Sequence, residues 1–239
     1  MPAERNRRAI VSAALVLTFL LGLGIMVSER LPKHSAAVFA PRRITAPVIL
    51  DPGHGGLDGG AVSEEGMPEA PLNLAIALRT RELLRFLGVS VLMTRENDDS
   101  LDYDPGQTIR QNKRSDLNAR LKLARDHPES PFVSIHLNKY QQERYHGAQV
   151  FYSPNNSGSR RLAGLLQARL RLLDPENERT ARLTPDGVFL MEQIRSPAVT
   201  AECGFLSNRR EASLLAEPQY QIKLAAALCC GCIDYIGSE

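Results

Sequence analysis

Val48-Ile49-Leu50-Asp51-Pro52-Gly53-His54-Gly55-Gly56 decides how this chain is read. Pro47 to Leu50 is a short apolar strand, and the chain then breaks at Asp51-Pro52-Gly53. The run continues through Leu57-Asp58-Gly59-Gly60, so five glycines surround one histidine and free the backbone for a tight turn after the strand. A phosphate-cradling loop is the competing reading. It requires G-x-G-x-x-G or G-x-x-x-x-G-K-[ST], and neither is present. Alone, His54 in such a turn reads as structural; its companions decide otherwise.

Outward from that turn, short β-branched runs alternate with helical patterns. Leu72, Ala75, Ile76, Leu83, Leu84 and Leu87 recur at helical spacing, and Gly88 ends that helix. Val89 to Met93 is the next strand, and Asp98 to Lys113, polar with Pro105 and Gly106, reads as a loop. Ser115 caps a helix carrying Leu117, Leu121 and Ala124 on one side. Pro131 to His136 and Ala148 to Tyr152 are strands, followed by a helix from about Ser159 to Leu173 and a charged loop from Asp174 to Pro185. Val188 to Met191 and Ala198 to Glu202 read as strands. Asn208 with Glu211 resembles a capping box, and a last helix runs from about Pro218 to Tyr235. Strands separated by crossover-length helices predict an α/β fold: one domain, a three-layer mixed β-sheet with helices on both faces. In such sheets functional groups collect at the carboxyl ends of strands. Three segments end there on metal-capable residues: Asp51 to His54, His136 and Glu202.

The 239 residues are 43% hydrophobic and 23% charged, an ordinary globular composition. A net charge of +2, no Trp and no basic face with interleaved aromatics argue against nucleic acid as a partner. Ala9 to Val27 carries no charge and is nearly all apolar, long enough at about 1.5 Å per residue to span a hydrocarbon core of roughly 30 Å. Arg5, Arg7 and Arg8 before it keep the N-terminus in the cytoplasm. The predicted organisation is a cytoplasmic tail at 1–8, a transmembrane signal-anchor at 9–27, a polar, Pro-containing linker at 28–46 and a catalytic domain at 47–238. The partner of the first segment is then the cytoplasmic membrane, with the catalytic domain extracytoplasmic. A signal peptide cleaved after Val38-Phe39-Ala40 is the competing reading. Of the four cysteines, Cys229, Cys230 and Cys232 crowd one apolar segment. They read as small packing residues, with palmitoylation, a disulfide or a redox role as alternatives.

Glu69 opens the first long helix, where a carboxylate is favoured by the helix dipole by about 0.3–1 kcal/mol, so a purely local role competes with a chemical one. Glu64 and Glu65 lie nearby in a turn. His136 ends Phe132-Val133-Ser134-Ile135-His136, with Asn138 close by. Two histidines and one carboxylate are a typical ligand set for catalytic zinc, leaving the fourth position for water. A second carboxylate then serves as general base and proton shuttle. Glu202, emerging from the apolar run before Cys203-Gly204-Phe205, is the candidate. Its alternative is a buried ion pair with Arg95, Arg120 or Arg195.

These runs, with Thr94-Arg95, Arg120, Val133-Ser134-Ile135-His136-Leu137-Asn138, Gly147-Ala148-Gln149-Val150-Phe151-Tyr152 and Ala201-Glu202-Cys203-Gly204-Phe205-Leu206-Ser207-Asn208, resemble in order the zinc-dependent N-acetylmuramoyl-L-alanine amidases, the amidase 3 family. The resemblance covers about 190 residues. It implies that His54, Glu69 and His136 bind Zn²⁺ and that Glu202 is the catalytic acid/base. It also implies substrate-binding or supporting roles for Asp51, Arg120 and Asn138, with peptidoglycan as substrate. Within the family the chain looks most like the spore-cortex amidases of CwlD type, on architecture as much as on motif. That implies cleavage between muramic acid and L-alanine on the way to the muramic-δ-lactam of the cortex, needed for germination. Control by an activating partner protein stays open beside it. The rivals are a stem-peptide zinc peptidase, a vegetative cell-separation amidase and an inactive peptidoglycan-binding module. The chain departs from the family in Ala70-Pro71 after Glu69, tolerable in a first helical turn, and in Lys139-Tyr140 after Asn138.

Overall fold

Residues 46–237 are described by the computed structural model. The expected cytoplasmic tail and membrane helix lie outside them, as does nearly all of the linker. Among the described residues no helix is long and apolar enough to cross a membrane. The chain runs β1 (Val48–Pro52), α1 (Glu69–Phe86), β2 (Val91–Met93), α2 (Ile109–Asp126), β3 (Phe132–Asn138), β4 (Gln149–Tyr152), α3 (Ser157–Arg171), β5 (Arg182–Leu183), α4 (Phe189–Gln193), β6 (Ala198–Phe205), α5 (Arg209–Ala216) and α6 (Pro218–Gly237).

The strands form one mixed sheet in the order β2-β1-β3-β6-β4-β5. β1, β2, β3 and β6 are parallel, and β4 pairs antiparallel to β6 and parallel to β5. β1 is buried at every residue, as expected for a central strand covered on both faces. One helical layer is α1, α3 and α6, with α6 packed on both of the others and all three on the main core around Val48, Leu50, Ile76, Ile135, Leu166 and Leu228. On the other face α2 and α4 cover a smaller core of Ile49, Leu121, Phe132, Met191 and Ile194. The three-layer α/β expectation holds. α1 carries the chain from β1 to β2 on one side, and β3 then returns to the other side of β1. The carboxyl ends of β1 and β3 therefore flank a point where strand order reverses, the usual place for a site in an open α/β sheet.

Four local expectations are corrected. Helix α2 starts at Ile109, inside the expected Asp98 to Lys113 loop. Its cap is Thr108 rather than Ser115, with a full Thr108–Gln111 capping box. The polar run Ile109 to Ser115 has almost no apolar periodicity, so the helix start is carried by the cap alone. Val188 to Met191 is not a strand: Phe189–Gln193 is a short helix, because a four-residue apolar run fits a buried helical turn as well as a strand. Arg182–Leu183 adds an edge strand inside the expected Asp174 to Pro185 loop, too short to carry a period. At α5, Asn208 accepts from the Glu211 N–H, but the Glu211 carboxylate turns to Gly147 and Phe205 N–H instead of closing the box. The four cysteines are free thiols; Cys229 and Cys232 pack inside α6 and Cys230 is exposed.

The α2 cap gives a direct test. Thr108→Ala should cost about 1 kcal/mol in equilibrium denaturation with an unchanged m-value. An unaltered midpoint would show that the cap does not hold the helix.

Candidate active site

After β1 the chain must turn sharply while three carbonyls leave the sheet ladder. Two buried arginines meet them. Arg95 donates to the carbonyls of Pro52 (3.0 Å), Gly53 (3.0 Å) and Ala70 (2.9 Å). Arg120 donates to those of Pro52 (2.8 Å) and His54 (2.7 Å). Asp51 supplies the balancing charge. Its carboxylate accepts from Arg120 (2.6 Å), Thr94 Oγ1 (2.7 Å) and Ser134 Oγ (2.6 Å). Burial opposes that charge, but Arg120 and the two hydroxyls outweigh it and hold the carboxyl below its ordinary range. Asp51 and Arg120 are 1% and 2% exposed, so both brace the loop from beneath and neither reaches the surface.

Held this way, His54 adopts φ 61°, a left-handed backbone uncommon for a residue with a side chain. Its imidazole Nε2 lies 3.3 Å from Glu69 Oε2, and its Nδ1 lies 3.1 Å from Asp58 Oδ2. His136, at the end of β3, places Nδ1 3.0 Å from Glu69 Oε1. The two rings meet edge to face with centroids 4.9 Å apart. One donor atom from each of His54, Glu69 and His136 falls within 4.8 Å of the other two. Glycine makes this closeness feasible. A Cβ on Gly53 would collide with the His136 ring, and one on Gly60 would meet Glu69 Oε2 and His54 at 2.7 Å.

Glu69 is 3% exposed and is oriented by the N–H groups of Ala61 (2.9 Å) and Leu137 (3.0 Å) and by Asn73 Nδ2 (3.0 Å). Burial would raise its pKa, but the two imidazoles keep it ionised far below the usual carboxylate range. Burial likewise opposes a charge on His54, yet Asp58 and Glu69 prevail and raise its pKa to about 9. A cation bound by the three donors must displace that proton.

Glu202 lies opposite His136 in the β3–β6 ladder. Immediately after it β6 carries an extra residue relative to β3, an irregularity of the kind that re-aims a side chain. Its Oε2 is sealed from solvent with no hydrogen-bond partner among the described residues. Burial pushes its pKa up to about 7. The ion-pair alternative fails: Arg95 and Arg120 are engaged on the loop, and Arg195 bonds Asn155. With His136, Asn138, Ser134 and Thr200, Glu202 floors a cleft of about 470 Å³ walled by Leu117, Phe151, Thr184, Pro185 and the segment Gly187 to Met191. Among the described residues, none between Asp98 and Arg114 lines it. Glu64 and Glu65 belong to an exposed turn and do not join the donors.

The sequence reading missed Asp58 and Asn73. Asp58, itself paired with Lys113 Nζ at 2.9 Å, fixes the far nitrogen of His54, as a carboxylate commonly does for a metal-binding imidazole. Asn73 is one helical turn after Glu69, a spacing that is visible in the sequence but carries no distinguishing residue type.

Replacing Arg120 tests the brace. Arg120→Met leaves Asp51 buried and unpaired and should cost about 3–5 kcal/mol of stability. A loss below about 1 kcal/mol would show that Asp51 finds other compensation.

The family described as N-acetylmuramoyl-L-alanine amidase (Amidase_3) matches residues 48–234. The germination-specific N-acetylmuramoyl-L-alanine amidase of Bacillus subtilis (strain 168) is 37% identical over 188 residues, covering 79% of this chain and 78% of that protein. The solved CwlD amidase of Clostridioides difficile, in complex with the GerS lipoprotein, superposes with a TM-score of 0.76 at 38% identity. It covers 81% of this chain and all of that one. AmiA of Escherichia coli (strain K12) is 26% identical, covering 96% of this chain and 91% of that protein. The match in sequence, in fold and along nearly the whole described domain places this chain in the N-acetylmuramoyl-L-alanine amidase family, enzymes that hydrolyse an amide bond of peptidoglycan.

Proposed function

We propose that this enzyme is a zinc amidase that cuts between the lactyl group of muramic acid and L-alanine during spore-cortex maturation, held by residues 9–27 on the outer face of the membrane. The observation that carries the reaction is the sealed, unpartnered Oε2 of Glu202 beside a three-donor cluster. A carboxyl oxygen is costly to bury without a partner, so one left that way calls for a functional explanation.

The donor set fits zinc: two imidazoles and a carboxylate, with glycines at the two places where a side chain would fill the cradle. His54, Glu69 and His136 would hold the ion, which when bound polarises the scissile carbonyl and makes water a better acid. Asp58 keeps His54 aimed, and Asn73 with two backbone N–H groups keeps Glu69 aimed. Glu202 takes the proton of the attacking water and returns it to the alanine nitrogen as the C–N bond breaks. Asn138, on the cleft floor beyond His136, is within the surface a substrate covers. Cys203, next to Glu202, has no part in this: it is buried and its thiol is pushed up by burial.

The cortex role draws support from the 37% and 38% identities to a germination-specific amidase and to CwlD, against 26% for AmiA. The solved CwlD is in complex with a lipoprotein; on this reading an activating protein on the same membrane face belongs to the present system too. The anchor rests on the charge-free run Ala9 to Val27 behind three arginines.

The test uses the full-length protein in detergent with zinc and purified peptidoglycan. Mass spectrometry should find free peptides that begin with L-alanine, and a chelator should abolish them. Glu202→Ala should retain zinc and lose about 10²–10⁴-fold in rate, whereas His54→Ala should lose both zinc and activity. Full activity in purified Glu202→Ala would sink the assignment. A new amine elsewhere in the stem would make the enzyme a peptidase. A deletion strain that germinates normally would remove the cortex role.

A further inference from the structure

Two recesses flank β4 beside Glu202, and they differ in charge. The cleft of about 470 Å³ has apolar and neutral walls, and no Lys or Arg lines it. The neighbouring groove of about 320 Å³ holds three guanidiniums, those of Arg144, Arg179 and Arg182, together with Tyr145.

The strand register links this groove to the reacting centre. Gln149 is paired with Glu202, and directly opposed residues of antiparallel strands share a face. Arg179 donates from Nη1 to Gln149 Oε1 at 3.0 Å and from Nε to the His146 carbonyl at 2.8 Å. One side chain therefore separates a fixed guanidinium from Glu202. Arg182 of β5 is in register with Phe151, an aromatic wall residue of the cleft. Arg144 lies over the Tyr145 ring at 5.3 Å. Among the described residues neither Arg144 nor Arg182 forms an ion pair, and both are exposed.

This inference rests on the amidase reading above. The two halves of a muramoyl-peptide differ in charge. The muramoyl half is neutral once its lactyl carboxyl is tied up as the amide, whereas the peptide stem carries free carboxylates. A stem carboxylate placed along the cleft walls would meet Glu202 and no Lys or Arg. In the groove it would meet planar, forked donors matched to its geometry. We propose that Arg144, Arg179 and Arg182 form a subsite for the carboxylates of the stem peptide, which leaves Glu202 across Gln149. Glu176 and Glu178 share the groove without pairing to these arginines, and they suit the free amine of a diamino residue in the same stem.

The test compares two substrates on the full-length zinc enzyme: a muramoyl-peptide with free stem carboxylates and the same compound with those carboxylates amidated. The wild type should favour the free acid by about tenfold or more in kcat/KM, carried by KM. Arg144→Glu/Arg182→Glu should abolish or invert that preference, and Arg144→Lys/Arg182→Lys should retain part of it. Equal use of both substrates by the wild type, or a preference that survives charge reversal, overturns the subsite and leaves the amidase reading intact. Cleavage of neither substrate by the wild type overturns both.

Discussion

The turn after β1 depends on two buried guanidiniums. A chain that leaves a parallel sheet in three residues strands its carbonyls, and a buried carbonyl without a donor costs free energy of the order of a lost hydrogen bond. Arg95 and Arg120 satisfy the carbonyls of Pro52, Gly53 and His54 from two different elements, the β2 exit and α2. Two adjacent cations would themselves be untenable without Asp51, which in turn is satisfied by Thr94 and Ser134. The network is thus shared by β1, the β2 exit, α2 and β3. Each contributes a group that has no reason to be buried except to hold this turn, and the unusual φ of His54 follows from it.

Topology does the rest of the assembly. β3 returns next to β1, so His136 arrives across from the braced turn without any long loop. Glu69 arrives from the start of α1, where backbone N–H groups of Ala61 and Leu137 reach its carboxylate. Glu202 arrives one strand further along, ahead of an irregularity in β6. The donors therefore stand on rigid elements, and only His54 depends on a loop, the one that is most heavily tied down. On the opposite side of β4, the same sheet edge sets a charged groove next to a neutral cleft.

Much of this was legible in the sequence because it depends on residue types that packing alone rarely puts in such places. A histidine among five glycines, a histidine at the end of an apolar strand and a glutamate emerging from another mark three strand ends, and the structure brings them together. What was not legible depends on partners distant in sequence. Asp58 is an ordinary acid until its hydrogen bond to His54 is seen. Arg95 and Arg120 read in the sequence as available charges, yet only the fold reveals that they serve backbone carbonyls. Thr108 escapes a sequence reading because a cap without an apolar stripe behind it leaves no period to detect. Glu211 shows the reverse error: the Asn208 spacing was right, but the buried N–H groups of Gly147 and Phe205 need an acceptor and draw the carboxylate away. The segment Val188 to Met191 is too short for its period to separate a strand from a helical turn.

On the proposed function, a turn braced by arginines presents His54 to a zinc ion that Glu69 and His136 would hold with it, and X-ray absorption spectroscopy of the zinc-loaded protein tests this most directly. The expected spectrum has a first shell of nitrogen and oxygen only at about 2.0–2.2 Å, with the outer-shell signature of two imidazoles and without sulfur. A sulfur shell near about 2.3 Å, or the signature of one imidazole or of three, would contradict it.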